Sequence, residues 1–180
     1  AETLRTIVQP LGIPVVTTLM GKGSIPDDWD CHLGMVGMHG SYAANMAVTQ
    51  CDLLLAVGVR FDDRVTGDAA NFAPQATIVH FDIDKVEINK IVHADISVNA
   101  DLRWSLPRLC EGLKPYGQSL YERYEGWRHV VLSMKKAHPF ATRHLEGTIS
   151  PQAIFNAVQA ATDEDTIIVT DVGQHQMWSA

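Results

Sequence analysis

Residues 51–58 read CDLLLAVG. Five apolar side chains follow Asp52 without a polar interruption, so a strand here has no face for water and must be covered on both sides. Residues 76–84, ATIVHFDID, repeat the pattern, and 11–19, LGIPVVTTL, give a third short buried strand punctuated by Gly12 and Pro14. Between these runs the apolar residues change to helical spacing. Leu4, Ile7 and Val8 share one face of a helix over 2–9. SYAANMAV (41–48) predicts a second helix with Ser41 as its N-cap, and VEINKIV (86–92) a short third. HADISVNAD (93–101) reads as extended, and LRWSLPRLCEGL (102–113) as a helix. Buried strands alternating with helices predict an α/β fold, a doubly wound, mostly parallel sheet that takes ligands at the carboxyl ends of its strands.

Beyond 113 the composition changes. SLYERYEGWRHVVLSMKKAHP (119–139) is polar, dotted with aromatic residues and helical in spacing; 114–147 reads as a linker helix region. A new βα pattern then starts. Ser150 is placed to cap a helix with Pro151 at its first position. That helix runs to about Ala161, a strand is predicted at 166–170, and another helix at about Gln174. The expected organisation is one α/β domain over 1–113, the linker, and the first βα unit of a second α/β domain over 148–180. Opening at Ala1 without an initiator Met, and stopping inside a helical pattern, the chain reads as a piece of a longer one.

Of 180 residues, 46% are hydrophobic, and 14 basic against 21 acidic residues give a formal charge of −7. No basic stripe exists for nucleic acid or an anionic membrane. A phosphate would be held by backbone N–H groups, helix N-termini and a few placed arginines. Cys31, Cys51 and Cys110 are far apart, with no C-x-x-C, and read as reduced thiols. No signal peptide and no apolar run near the ~18 residues of a membrane span occurs, so a cytoplasmic setting is expected. Zincin, nucleophile-elbow and P-loop patterns are absent from the sequence.

Four stretches carry polar chemistry, three of them at expected strand ends. In GMVGMHGS (34–41), Gly37 and Gly40 permit close backbone approach, and Ser41 opens a helix. Glycines before a helix are weak by themselves, and His39 alone reads more readily as structural. In GVRFDDRVTG (58–67), Arg60 is placed to pair with a phosphate or stack on a flat ring, and Asp63 to orient Arg64. Surface ion pairs are the competing reading. In FDID (81–84), Asp82 suits a ribose or adenine edge, whereas Asp84 reads as a cap; Asp95 poses the same choice. In VTDVGQHQMW (169–178), Gly173 turns the chain into a helix with Gln174 and His175 at its start.

Taken together, GIPVVTTLMGKG, LGMVGMHGSYAAN, GVRFDDRVTG, FDID, HADISV, SPQAIF and VTDVGQHQMW resemble, in order and over nearly the whole chain, the catalytic large subunits of acetolactate synthase. These are thiamine-diphosphate enzymes that also carry FAD. The resemblance implies most of a central FAD-binding domain followed by the start of the thiamine-diphosphate domain. It implies FAD contacts at Thr18, Leu19 and Met20, at Met38, His39 and Gly40, and at Gly58, Val59 and Arg60. It adds Asp82 and Ile83, with Asp95 and Ile96 closing over the adenosine. Gly173, Gln174 and His175 match the loop that meets thiamine diphosphate. Asp63 and Arg64 match an ion pair at the mouth of the substrate channel. The implied reaction decarboxylates pyruvate and joins the product to a second 2-oxo acid, pyruvate or 2-oxobutyrate, in branched-chain amino acid biosynthesis. FAD does no net redox work there. Mg2+, a homodimer or tetramer of catalytic subunits and a small regulatory subunit are implied as well. The family's activating glutamate and its metal motif match nothing in these residues, so the isolated chain is expected to be inactive and to carry no catalytic or metal-binding residue of its own. Two alternatives are a non-catalytic nucleotide-binding module and another FAD- or thiamine-diphosphate enzyme, such as a glyoxylate carboligase or pyruvate oxidase. FDDRVTG speaks against the second of these.

Overall fold

Every strand of the computed structural model pairs in parallel. The model describes residues 1–140, 146–163 and 165–179, which divide into two compact units, Ala1–Pro139 and Phe140–Ala180. In the first unit β1 (Val15–Thr17) pairs with β2 (His32–Met35). A second sheet has the order β3 (Leu53–Val57), β4 (Thr77–Asp82), β5 (Ile96–Asn99). Leu53 lies opposite Thr77, and Val57 opposite Phe81. Asp82 lies opposite Asn99.

Helices cover both faces, as uninterrupted apolar strands require. One apolar cluster joins Ala43, Ala44, Ala47 and Val48 of α2 (Tyr42–Gln50) to Ala56 and Ile78 of the sheet and to Val131 of α6 (Glu125–Ala137). The other joins Ile7 and Leu11 of α1 (Glu2–Leu11) to Leu106 of α4 (Leu102–Leu113), with Val57 and Leu120 of α5 (Gly117–Arg123) against it. Ala56 and Val57, neighbours on β3, thus serve opposite clusters, the alternation expected of successive strand residues. The doubly wound α/β reading is met. Ser41 caps α2 as expected, its hydroxyl accepting the Ala44 N–H at 3.0 Å.

The structure departs from expectation at four places. HLGM (32–35), for which no strand is expected, is strand β2; Gly34, at φ 100°, breaks any alternation, and pairing with β1 alone defines the strand. Residues 63–66, for which no helix is expected, form a single helical turn, α3 (Asp63–Thr66). VEINKIV is a run of turns rather than a helix. Asp84 accepts the Val86 N–H, and Asn89 enters the left-handed region at φ 61° and takes the Ala94 N–H on its side chain. No strand forms at 166–170, because among the described residues no other strand lies beside it.

In the second unit, α7 (Pro151–Ala161) starts where read, with Ser150 accepting the Ala153 N–H at 3.2 Å. α8 (Gln174–Ser179) follows and lies against α7. No described helix is long and apolar enough to cross a membrane. Cys31, Cys51 and Cys110 are all free.

Candidate functional site

The carboxyl ends of β1 to β4 carry most of the residues singled out from the sequence. After β1, Thr18 caps a short 3-10 turn over Leu19–Gly21, its hydroxyl accepting the Gly21 N–H at 3.1 Å. Met20 on that turn is 90% exposed. After β2 the chain bends at Gly37, φ 106°. A Cβ there would overlap the Arg64 carbonyl oxygen, so only glycine fits between this loop and α3. The Asn45 side chain grips both sides of the bend, accepting the Gly37 N–H at 2.8 Å and donating to its carbonyl at 3.0 Å. The Met38 N–H then donates to the Arg64 carbonyl at 2.9 Å. Met38 and His39 are left exposed beside Gly40.

After β3, Gly58 turns at φ 62° while its N–H donates to the Phe81 carbonyl at 2.8 Å. Arg60 projects from this turn, and buried Phe61 follows at φ 54°. Asp62 then caps α3, accepting the Arg64 and Val65 N–H groups at 3.1 and 3.2 Å. The two flanking arginines each reach an aspartate at 3.8 Å, Arg60 to Asp62 and Arg64 to Asp63. All four side chains are well exposed, so the pairs orient the guanidinium groups and add little stability. After β4, Asp82 is buried, and its Oδ1 accepts the Asp84 N–H at 2.8 Å. Ile83 beside it is 66% exposed.

Asp95 and Ile96 do not join this edge. They stand at the amino end of β5, where Asp95 accepts the Ile78 N–H at 2.7 Å and Ile96 lies opposite Val79. Asp82 is three residues further along the strand, roughly 10 Å away at the usual rise. The parallel register corrects the sequence reading: an Asp at a strand's start faces the opposite edge from one at a strand's end. At the carboxyl end of β5 stand Asn99 and Asp101, which the sequence reading passed over. The Asn99 amide donates to the Asp82 and Ile83 carbonyls, both at 3.0 Å. Asp101 caps α4 by accepting the Arg103 N–H at 2.8 Å. Its hydrogen bonds with the Arg103 guanidinium hold its carboxyl below the usual carboxylate range. The signal was present in the polar residues that follow ISVN.

A cleft of about 390 Å³ opens beside this edge, lined in part by Gly37, Met38, Asp63, Thr66 and Phe72. The edge also leaves large apolar side chains without protein cover: Met20, Met38 and Ile83, from three different strand ends. Apolar surface beside a guanidinium and a buried carboxylate suits a ligand with flat rings, phosphates and a ribose, so the donor set fits FAD. In the second unit, Gly173, Gln174 and His175 form the turn into α8, with His175 exposed. A Cβ on Gly173 would come within 2.8 Å of the His175 ring, so glycine gives that ring its room. Among the described residues no group of three His, Cys, Asp or Glu side chains is placed to hold a metal ion.

Residues 1–109 match the family described as "Thiamine pyrophosphate enzyme, central domain". The chain is 45% identical over 179 residues to the acetolactate synthase large subunit of Parasynechococcus marenigrum, covering 99% of this chain and 28% of that protein. It is 43% identical over 180 residues to the chloroplastic acetolactate synthase 1 of Nicotiana tabacum, covering 100% and 27%. It is 39% identical over 177 residues to the large subunit of acetolactate synthase isozyme 2 of Escherichia coli, covering 98% and 31%. The chain therefore spans less than a third of each of these relatives. With a parallel α/β fold and a family match over 1–109, the chain belongs to the thiamine pyrophosphate enzymes, those residues being the central domain.

Proposed function

We propose that this chain is the FAD-carrying section of an acetolactate synthase catalytic subunit, with 148–180 beginning the domain that grips thiamine diphosphate. The observation that carries the reading is the strand-end edge itself, where exposed Met20, Met38 and Ile83 accompany Arg60 and buried Asp82. This edge would hold FAD. Arg60 would pair with its diphosphate, Asp82 would accept from the ribose or adenine, and the segments 18–20 and 38–40 would meet its rings. Asp95 and Ile96 take no part; Asp95 fastens the start of β4. Asp63 holds Arg64 toward an incoming 2-oxo acid anion. Thiamine diphosphate, when bound, would supply the electron sink for decarboxylation, and Mg2+ would offset the charge of its phosphates. Gly173, Gln174 and His175 offer it a turn with exposed polar groups.

The parent reaction joins decarboxylated pyruvate to a second 2-oxo acid, as the relatives' names suggest. A catalytic homodimer or tetramer, a small regulatory subunit and a cytoplasmic setting belong to the same reading, drawn from relatives named large subunits and from the free cysteines. The test is a flavin-fluorescence titration of the full-length protein carrying this chain. Arg60→Ala should weaken FAD binding about tenfold or more, the scale of a lost charge-assisted contact. Unchanged affinity in Arg60→Ala would remove the ADP half from the Gly58–Arg60 turn.

A further inference from the structure

Beneath the strand ends lies a histidine that none of the proposed cofactor contacts uses. His80, on β4, is 0% exposed. Its Nε2 stands 2.9 Å from the Val59 carbonyl oxygen. A carbonyl only accepts, so Nε2 carries the proton and the tautomer is set by this partner. The same nitrogen is 3.8 Å from Asp82 Oδ2. Nδ1 is buried with no hydrogen-bond partner among the described residues. An imidazole with one nitrogen unmet is a poorer core residue than leucine. Its presence points to work done by the other nitrogen.

That work is visible in the turn above. Gly58 and Phe61 both adopt left-handed backbone, at φ 62° and 54°. For phenylalanine this is a strained conformation, so packing must hold it there. Phe61 is clamped between two rings, Phe72 at 5.6 Å and His80 at 5.0 Å, both edge-on. His80 thus touches the Arg60 turn twice, at the Val59 carbonyl and at the Phe61 ring. On its own strand it is two residues from Asp82. We propose that His80 is a positioning residue: through its Nε2–H to the Val59 carbonyl it fixes the Gly58–Phe61 turn, and so sets the spacing between Arg60 and Asp82, the two charged groups offered to the nucleotide half of the cofactor.

The inference rests on the FAD reading above, and the experiment separates the two. FAD is titrated into four forms of the full-length protein: wild type, Arg60→Ala, His80→Gln and His80→Asn. The glutamine amide reaches the position of Nε2 and restores the donor; the asparagine amide reaches only that of Nδ1. Both variants are polar and enter the same buried site, so a merely structural role would move them together. His80→Gln should bind FAD within about threefold of wild type, and His80→Asn about tenfold more weakly, the scale of one lost hydrogen bond to a strained turn. Equal affinity in the two His80 variants, whether kept or lost, overturns the proposal while the Arg60→Ala result upholds the FAD site. Unchanged binding in Arg60→Ala removes the ADP half of the cofactor from this turn, and His80's role with it.

Discussion

Single residues in this chain are set by partners far away in sequence, and His32 is the clearest case outside the cofactor edge. Its ring is 2% exposed. Nδ1 lies 3.0 Å from Asp27, and Nε2 lies 3.3 Å from the Thr17 hydroxyl. Burial lowers its pKa below the ordinary 6.5, and Asp27 only partly opposes this. The folded state therefore binds this proton less readily than the unfolded chain. Above pH 6.5 neither state holds it and His32 makes no pH-dependent contribution. As pH falls below 6.5 the unfolded chain takes up the proton first, so native stability drops, levelling off once the folded-state pKa is passed. Urea unfolding at pH 8 and pH 5.5 should show a smaller loss for His32→Gln than for wild type. Equal losses would mean that the buried ring is not what titrates. Nothing in CHLGM announces this network, because its members are 5 and 15 residues away. Asp62 is similar. Its charge was legible beside Arg60, but its capping role depends on the left-handed Phe61, which no residue pattern reports.

At the scale of elements, the buried strands were legible where a run of apolar residues admits one physical solution, and obscure where pairing or packing decides. Residues 53–57 could hardly be anything else, whereas 32–35 become a strand only by lying beside β1. α6 shows the same contrast within one helix. Its sequence is polar overall, yet Val131 has no exposed surface and packs in the cluster that holds α2, while the adjacent Val130 is 41% exposed. Lys135 on the same helix donates to the His32 carbonyl at 2.7 Å, tying α6 to β2. Truncating the buried side chain leaves a cavity, and truncating its neighbour does not. Val131→Ala should cost about 2 kcal/mol in urea unfolding of the 180-residue chain, and Val130→Ala under about 0.5 kcal/mol. Similar costs for the two would place α6 outside the core.

For the molecule as a whole, the two units differ in what they bury. The first has two apolar clusters, one on each face of its sheet. In the second, no described residue of 146–179 is buried, and Ile167, Val169 and Val172 are 87%, 87% and 84% exposed. A segment this apolar and β-branched has the composition of a central strand, which is why the sequence predicts one at 166–170; composition cannot supply the neighbour that makes a ladder. Its Thr166 and Val172 N–H groups make only local bonds, to the Asp163 carbonyl and the Asp171 carboxylate, and among the described residues no ladder slows exchange of the segment's amides with solvent. If 148–180 begins a second α/β domain, the remainder of the full-length protein supplies that neighbour. Hydrogen exchange should therefore be fast across 166–172 in the 180-residue chain and slow across the same peptide in the full-length protein. The β3–β4 peptides should be protected in both, since their ladder lies wholly within the first unit. Fast exchange of 166–172 in both proteins would mean that no strand forms there, and the thiamine-diphosphate domain could not begin at this segment.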